Sequence, residues 1–201
     1  MTKYIALFLL LAATAFAKDL PPQLPLGSPA PGFALVNTVD GKTITLTDFK
    51  GKSKAVCVIF SCNHCPVAQA YEDRMIALGN EFQKQGVQFL LVSSNDIMEY
   101  PQDGPEPMKV RAAEKKYPFP YLFDATQDVG LAYGARVTPH VYLLDSNLVL
   151  RYRGAIDDSK DPAGVTQRYL SDALTALVKG KPELIKEPET VAKGCSIKWK
   201  E

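Results

Sequence analysis

The sequence predicts an α/β fold, a central mixed, mostly parallel sheet flanked by helices, with an N-terminal hairpin and an extra helix-strand insertion. Three observations carry this. The run over residues 55–60 is apolar throughout, that over 87–93 is largely so, and both are of strand length, as expected where a strand is covered on both faces. Between them Val67, Tyr71, Met75, Leu78 and Phe82 recur at spacings of four, four, three and four, which is an amphipathic helix. Strands and helices then alternate along the chain, which builds βαβ units and hence a parallel sheet.

The chain starts with Lys3 and an apolar run over residues 5–17 closing on Ala15-Phe16-Ala17, a small-x-small cleavage pattern. The run is shorter than the roughly 18 to 20 residues that span a bilayer. It predicts a signal peptide over residues 1–17, cut after Ala17, and a periplasmic or secreted protein with no stable membrane span after cleavage. Residues 18–31 hold five prolines and read as a linker, residues 32–180 as one domain, and residues 181–201 as a C-terminal tail. Within the domain, residues 33–37 and 43–46 flank Asp40-Gly41 as a short hairpin. The helix after residue 66 ends near Gly86. Beyond the second buried strand come a polar loop with Pro101, Pro105 and Pro107, a short helix over about residues 108–116, and a strand at 121–124. A helix around 129–133 stops at Gly134, and strands at 140–144 and 148–153 pair antiparallel about the turn Asp145-Ser146-Asn147. The last helix carries Val165, Tyr169, Leu170, Ala173, Leu174 and Leu177 on one face and stops at Gly180.

A balance of 23 basic and 22 acidic residues, scattered rather than clustered, gives no footprint for nucleic acid. Glu72, Asp73, Asp157 and Asp158 read as solvated helix-face and turn carboxylates.

Four cysteines are too few for a disulfide scaffold, and their placement is more informative than their number. Cys57 lies inside an apolar strand, where it is expected to be buried and inert. Cys62 and Cys65 form a C-x-x-C directly after that strand, at the carboxyl edge where chemistry collects in such sheets. A cysteine where a strand meets a helix N-terminus finds unpaired N–H groups and the positive end of the helix dipole, both of which stabilise a thiolate. Cys62 is therefore the expected nucleophile and Cys65, one helical turn on, the resolving thiol. His64 between them would lower the pKa of Cys62 as an imidazolium. A purely structural disulfide of this spacing would restrain little chain. Structural zinc calls for a second ligand pair, and covalent haem for a histidine where Pro66 stands, so neither a metal nor a cofactor is expected.

The order Gly27-Ser-Pro-Ala-Pro-Gly-Phe33, the hairpin at Asp40-Gly41, the Cys62-Asn-His-Cys65 helix start and Gly134-Ala-Arg-Val-Thr138-Pro139 before a strand resemble the thioredoxin-like superfamily. The extra helix and strand between Asn95 and Asp124 look like its TlpA/ResA and AhpC/TSA redoxin branch. The resemblance covers about residues 26–180. It implies a cis peptide before Pro139, packed against the cysteine pair, and backbone groups of Thr138 offered to an extended peptide, with His140 beside them. The acids that such proteins often carry are missing here: Val56 and Ala68 stand at those positions, leaving His64 or His140 to take a proton from Cys65.

The resulting expectation is exchange of a Cys62-Cys65 dithiol/disulfide with protein disulfides or dithiols, coupled to an electron donor or acceptor. A peroxiredoxin-type peroxidase is the first alternative. Its site resembles Pro-x-x-x-Thr-x-x-Cys, which the chain does not reproduce: counting back gives Ile59 and Ala55 from Cys62, or Cys62 and Val58 from Cys65. A copper-binding module using Cys62, Cys65 and His140 is the second. Cys195, in a tail that Pro182 and Pro188 separate from the last helix, is a candidate third redox cysteine. Ile197 and Trp199 in that charged terminus predict that the tail docks back on the domain.

Overall fold

The structure, a computed structural model, describes residues 20–201, so the expected signal peptide lies outside the described residues. A hairpin of β1 (Ala34–Asn37) and β2 (Thr43–Thr45) precedes β3 (Ala55–Phe60), α1 (Pro66–Gln83) and β4 (Val87–Ser93). Helix α2 (Pro105–Lys115) and β5 (Tyr121–Phe123) form the insertion, followed by α3 (Asp128–Tyr133) and the two-residue β6 (Val137–Thr138). Strands β7 (His140–Asp145) and β8 (Leu150–Gly154), helix α4 (Tyr169–Val178) and the short β9 (Cys195–Ser196) complete the chain. The main sheet runs β2-β1-β5-β4-β3-β7-β8, and β6 pairs with β9 apart from it. Among the described residues no helix is long and apolar enough to cross a membrane.

The sheet is mixed but not mostly parallel. Only β3-β4 and β4-β5 are parallel, while β7 lies antiparallel to β3. The reason is the length of α3. A helix of six residues advances about 9 Å, whereas returning along a six-residue strand would take about 20 Å. The chain therefore stays at the carboxyl edge after β5 and begins β7 there, with His140 opposite Phe60. This brings Thr138 and Pro139 to the end of β3 where the cysteines lie.

Strand β3 is fully buried and feeds both cores. Ala55, Cys57 and Ile59 pack with Tyr71, Met75 and Phe82 of α1, Met108 of α2, and Leu170, Leu174 and Leu177 of α4. Val56, Val58 and Phe60 face the other way, onto Tyr133 of α3, Leu24, Phe33 and Ile197. Residues 20–31 run along that second face: Leu24 N–H donates to Tyr133 O at 3.0 Å, and Ala30 N–H to Leu148 O at 2.8 Å.

Two elements are shorter than the pattern suggests. Val165 lies ahead of α4, after a 3-10 turn, and Leu148 sits in the hairpin turn with φ +62°. Two carboxylates read as solvated are buried. Glu72 accepts both Arg111 Nε and Nη2 at 2.7 Å and Tyr117 OH at 2.9 Å, because α2 folds over that side of α1. Asp157 pairs with Arg74 at 2.5 Å.

Candidate active site

Cys62 and Cys65 occupy different backbone settings. Helix α1 begins only at Pro66, whose fixed φ suits the first helical position. Cys65 is the residue capping it, its sulfur accepting the Ala68 N–H at 3.4 Å as a capping serine oxygen would. Cys62 sits in the loop ahead of the helix, so the two cysteines do not share a helical face. What brings their sulfurs together is Thr138. Cys62 Sγ lies 3.2 Å from the Thr138 hydroxyl, and Cys65 Sγ donates to Thr138 O at 3.3 Å. The Thr138-Pro139 peptide is cis. All four cysteines are free thiols, with Cys57 fully buried.

The two thiols are shifted in opposite directions. Hydrogen bonding with Cys62, with Cys195 and with the Ala68 N–H outweighs burial and holds the Cys65 pKa well below the ordinary thiol range. Cys62 is pushed up because it gives its proton toward Cys65, is buried, and lies near the charge of Asp103. Cys195 is also raised, by burial and by Cys65.

Asp103 is the residue of the candidate site that sequence reasoning missed. It is fully buried and accepts the N–H groups of Asn63 at 2.8 Å and His64 at 3.0 Å, as well as Asn95 Nδ2 at 2.8 Å. The His64 ring does not stand free beside Cys62. Its Nδ1 is hydrogen-bonded to Asp103, and the ring stacks on Tyr100 at 4.4 Å. The only sequence signal was an acid in a polar loop, between Pro101 and Pro105, that had to fold onto the carboxyl edge of the sheet. Asn95 extends the network, its Oδ1 accepting the Lys198 N–H of the tail at 2.8 Å.

His140 is 2% exposed, and its Nδ1 accepts the Arg136 N–H at 3.3 Å. Burial, with Arg153 and Arg136 nearby, pushes its pKa down to about 3, and no hydrogen bond joins it to a sulfur among the described residues. The donors that do converge are Cys62, His64 and Asp103, one ligand atom of each lying within 4.8 Å of the others. That set differs from the Cys62, Cys65 and His140 set expected for copper, and two of its members are already committed to each other. Beside the sulfurs, a cleft of about 420 Å³ is lined by Val67, Tyr71, Pro139 and Ile156.

Two thiols facing a cis-proline turn at the carboxyl edge of a mixed α/β sheet define a thioredoxin-like redoxin. The AhpC/TSA family model matches residues 26–153, and the chain belongs to that family. It is similar to an uncharacterized conserved protein from Geobacillus kaustophilus, with 44% identity over 88% of this chain and 93% of the other and a TM-score of 0.82. It is also similar to a hypothetical protein from Sinorhizobium meliloti, with 32% identity over 91% of this chain and 99% of the other and a TM-score of 0.82. The thioredoxin domain of a thiol-disulfide oxidoreductase from Bacteroides vulgatus matches at 26% identity and a TM-score of 0.54, covering 64% of this chain and 86% of that one. The curated proteins supply no match. The family and these neighbours make the chain an oxidoreductase of the redoxin kind.

Proposed function

We propose that this chain is an exported thiol-disulfide oxidoreductase that exchanges a Cys62-Cys65 dithiol/disulfide with protein thiols. The observation that carries the reading is the meeting of both sulfurs at Thr138 beside Pro139. In the oxidised form a substrate thiolate attacks Cys62 Sγ, a mixed disulfide forms, and the Cys62-Cys65 bond breaks with Cys65 leaving as a thiolate. A second substrate thiolate then releases Cys62, so the substrate gains a disulfide and the pair takes up two electrons. In reverse, the Cys65 thiolate attacks the mixed disulfide at Cys62 and expels the substrate thiol. A low-pKa thiol leaves faster and a stabilised thiolate favours the dithiol, so the potential of the pair, set against the roughly −270 mV of thioredoxin, reads the direction in which it works. The apolar lining of the cleft at Val67, Tyr71 and Ile156 suits an extended partner segment.

Equilibration with glutathione redox buffers measures the potential, and Cys65→Ser should accumulate mixed disulfides that Cys62→Ser does not. Loss of neither activity nor trapping in the two variants overturns the dithiol mechanism. Export is read from residues 1–17, and a mature N-terminus at Lys18 is the expected result of sequencing the extracytoplasmic protein. Family membership and the Thr138 hydroxyl at Cys62 favour one second reading, a peroxidase. Against it, no arginine is hydrogen-bonded to Cys62 among the described residues, so peroxide should oxidise Cys62 slowly in competition with a peroxidase.

A further inference from the structure

The C-terminal tail lies where a substrate would. Strand β9 pairs antiparallel with β6, with Cys195 opposite Thr138 and Ser196 opposite Val137. This is the backbone edge on which the proposed reaction seats an extended partner, and the tail presents a cysteine to it. Cys195 Sγ is 2.7 Å from Cys65 Sγ, so a bond of about 2.05 Å needs only a small side-chain movement.

The approach is built in. A Cβ on Gly194 would lie 2.0 Å from Thr138 O and 2.7 Å from Thr138 C, both backbone atoms, so a residue with a side chain could not follow this path. Beyond Cys195, Ile197 is buried and its N–H donates to Arg136 O at 3.0 Å. Lys198 O accepts Asp96 N–H at 2.8 Å and Gln127 Nε2 at 2.7 Å. Trp199 packs against Gly130, where a Cβ would come within 2.9 Å of its ring.

We propose that Cys195 is a redox residue of this site: oxidation ends in a Cys65-Cys195 disulfide that pins β9 over the substrate edge and leaves Cys62 as a free thiol. The proposal rests on the dithiol reading and extends it. In the step itself Cys195, deprotonated, attacks Cys65 Sγ of the Cys62-Cys65 disulfide. The Cys65-Cys195 bond forms, the Cys62-Cys65 bond breaks, and Cys62 leaves as a thiolate that takes up the proton given by Cys195. No electrons are gained or lost. Cys195 is also more exposed than Cys62 and Cys65, which are buried, so it offers an external thiol the accessible sulfur through which to reduce the protein and free the edge.

The chain is incubated with oxidised glutathione, its remaining thiols are alkylated, and it is digested with trypsin. Cys57, Cys62 and Cys65 fall in one peptide, residues 55–74, and Cys195 in another, residues 194–198. The expected product is the two peptides joined. The linkage should persist in Cys62→Ser, vanish in Cys65→Ser, and give way to an internal disulfide of peptide 55–74 in Gly194→Ala, where β9 must lift off Thr138. An internal disulfide in the unmutated chain, with peptide 194–198 alkylated, overturns the proposal and leaves the dithiol reading standing. Peptides with no disulfide at all overturn both.

Discussion

Replacing His140 by asparagine should relieve the domain of about 2 kcal/mol of the stability that it loses between pH 7 and pH 5. The folded protein holds this ring neutral, because burial and the charges of Arg153 and Arg136 push its pKa from 6.5 to about 3. In the unfolded chain the same ring takes a proton once the pH drops below 6.5. The unfolded state then binds more protons than the native one, so stability falls as pH falls through 6.5 and stops falling below about 3. Each pH unit in that window is worth about 1.4 kcal/mol, giving about 2 at pH 5 and about 5 below the whole window. An asparagine carbonyl can still accept the Arg136 N–H that Nδ1 accepts now. Asp124, whose buried carboxyl is raised, works in the opposite direction but is common to both proteins. Urea unfolding at the two pH values, with the cysteines kept reduced, reads the difference directly, and any fixed cost of the smaller side chain cancels. Equal losses in the parent and His140→Asn would show that His140 is not the residue that protonates on unfolding.

Two other substitutions test the buried carboxylates. Asp103→Asn keeps an oxygen for the Asn63 and His64 N–H groups but turns an NH₂ toward Asn95 Nδ2, a donor against a donor. It should cost about 1–3 kcal/mol and lower the Cys62 pKa by removing a neighbouring charge, which thiolate absorbance against pH would follow; an unmoved titration excludes Asp103 from the electrostatics. Glu72→Gln leaves Arg111 without its bidentate partner and should destabilise the fold by about 3–5 kcal/mol in chemical denaturation, whereas an unchanged midpoint would mean that α2 is held by its apolar contacts alone.

What could be read from the sequence follows from how locally each feature is encoded. The apolar run at 55–60 and the periodic stripe from Val67 to Phe82 fix β3 and α1 with no help from the rest of the chain, and the C-x-x-C falls between them. Strand direction is not local. Whether β7 runs with or against β3 depends on how far α3 carries the chain, and its six residues settle that only once the sheet order is known. The site divides along the same line. Cys62, Cys65 and Thr138 were legible because motif spacing marks them. Asp103 lies 38 residues beyond Cys65 in a loop without periodicity, and Glu72 looks like any helix-surface acid until Arg111 and Tyr117 arrive from the insertion. The helix start is decided in the same way: the helix begins at Pro66, so the cap N–H falls to Cys65 and not to Cys62.

The short α3 also accounts for the tail. By starting β7 at the carboxyl edge, it leaves the two residues of β6 outside the main sheet, with backbone groups that no sheet neighbour satisfies. An open strand edge invites pairing with another chain, which serves substrate binding and also promotes unwanted association. Here β9 takes up that edge, with burial of the Ile197 side chain contributing about 2 kcal/mol to its hold. A partner must therefore displace a strand that is already bound and that presents its own cysteine to Cys65. Under the proposed chemistry the competition is redox-dependent. With the thiols reduced the tail is held by noncovalent contacts alone, and with Cys65 joined to Cys195 it becomes a covalent lid over the edge that admits substrate.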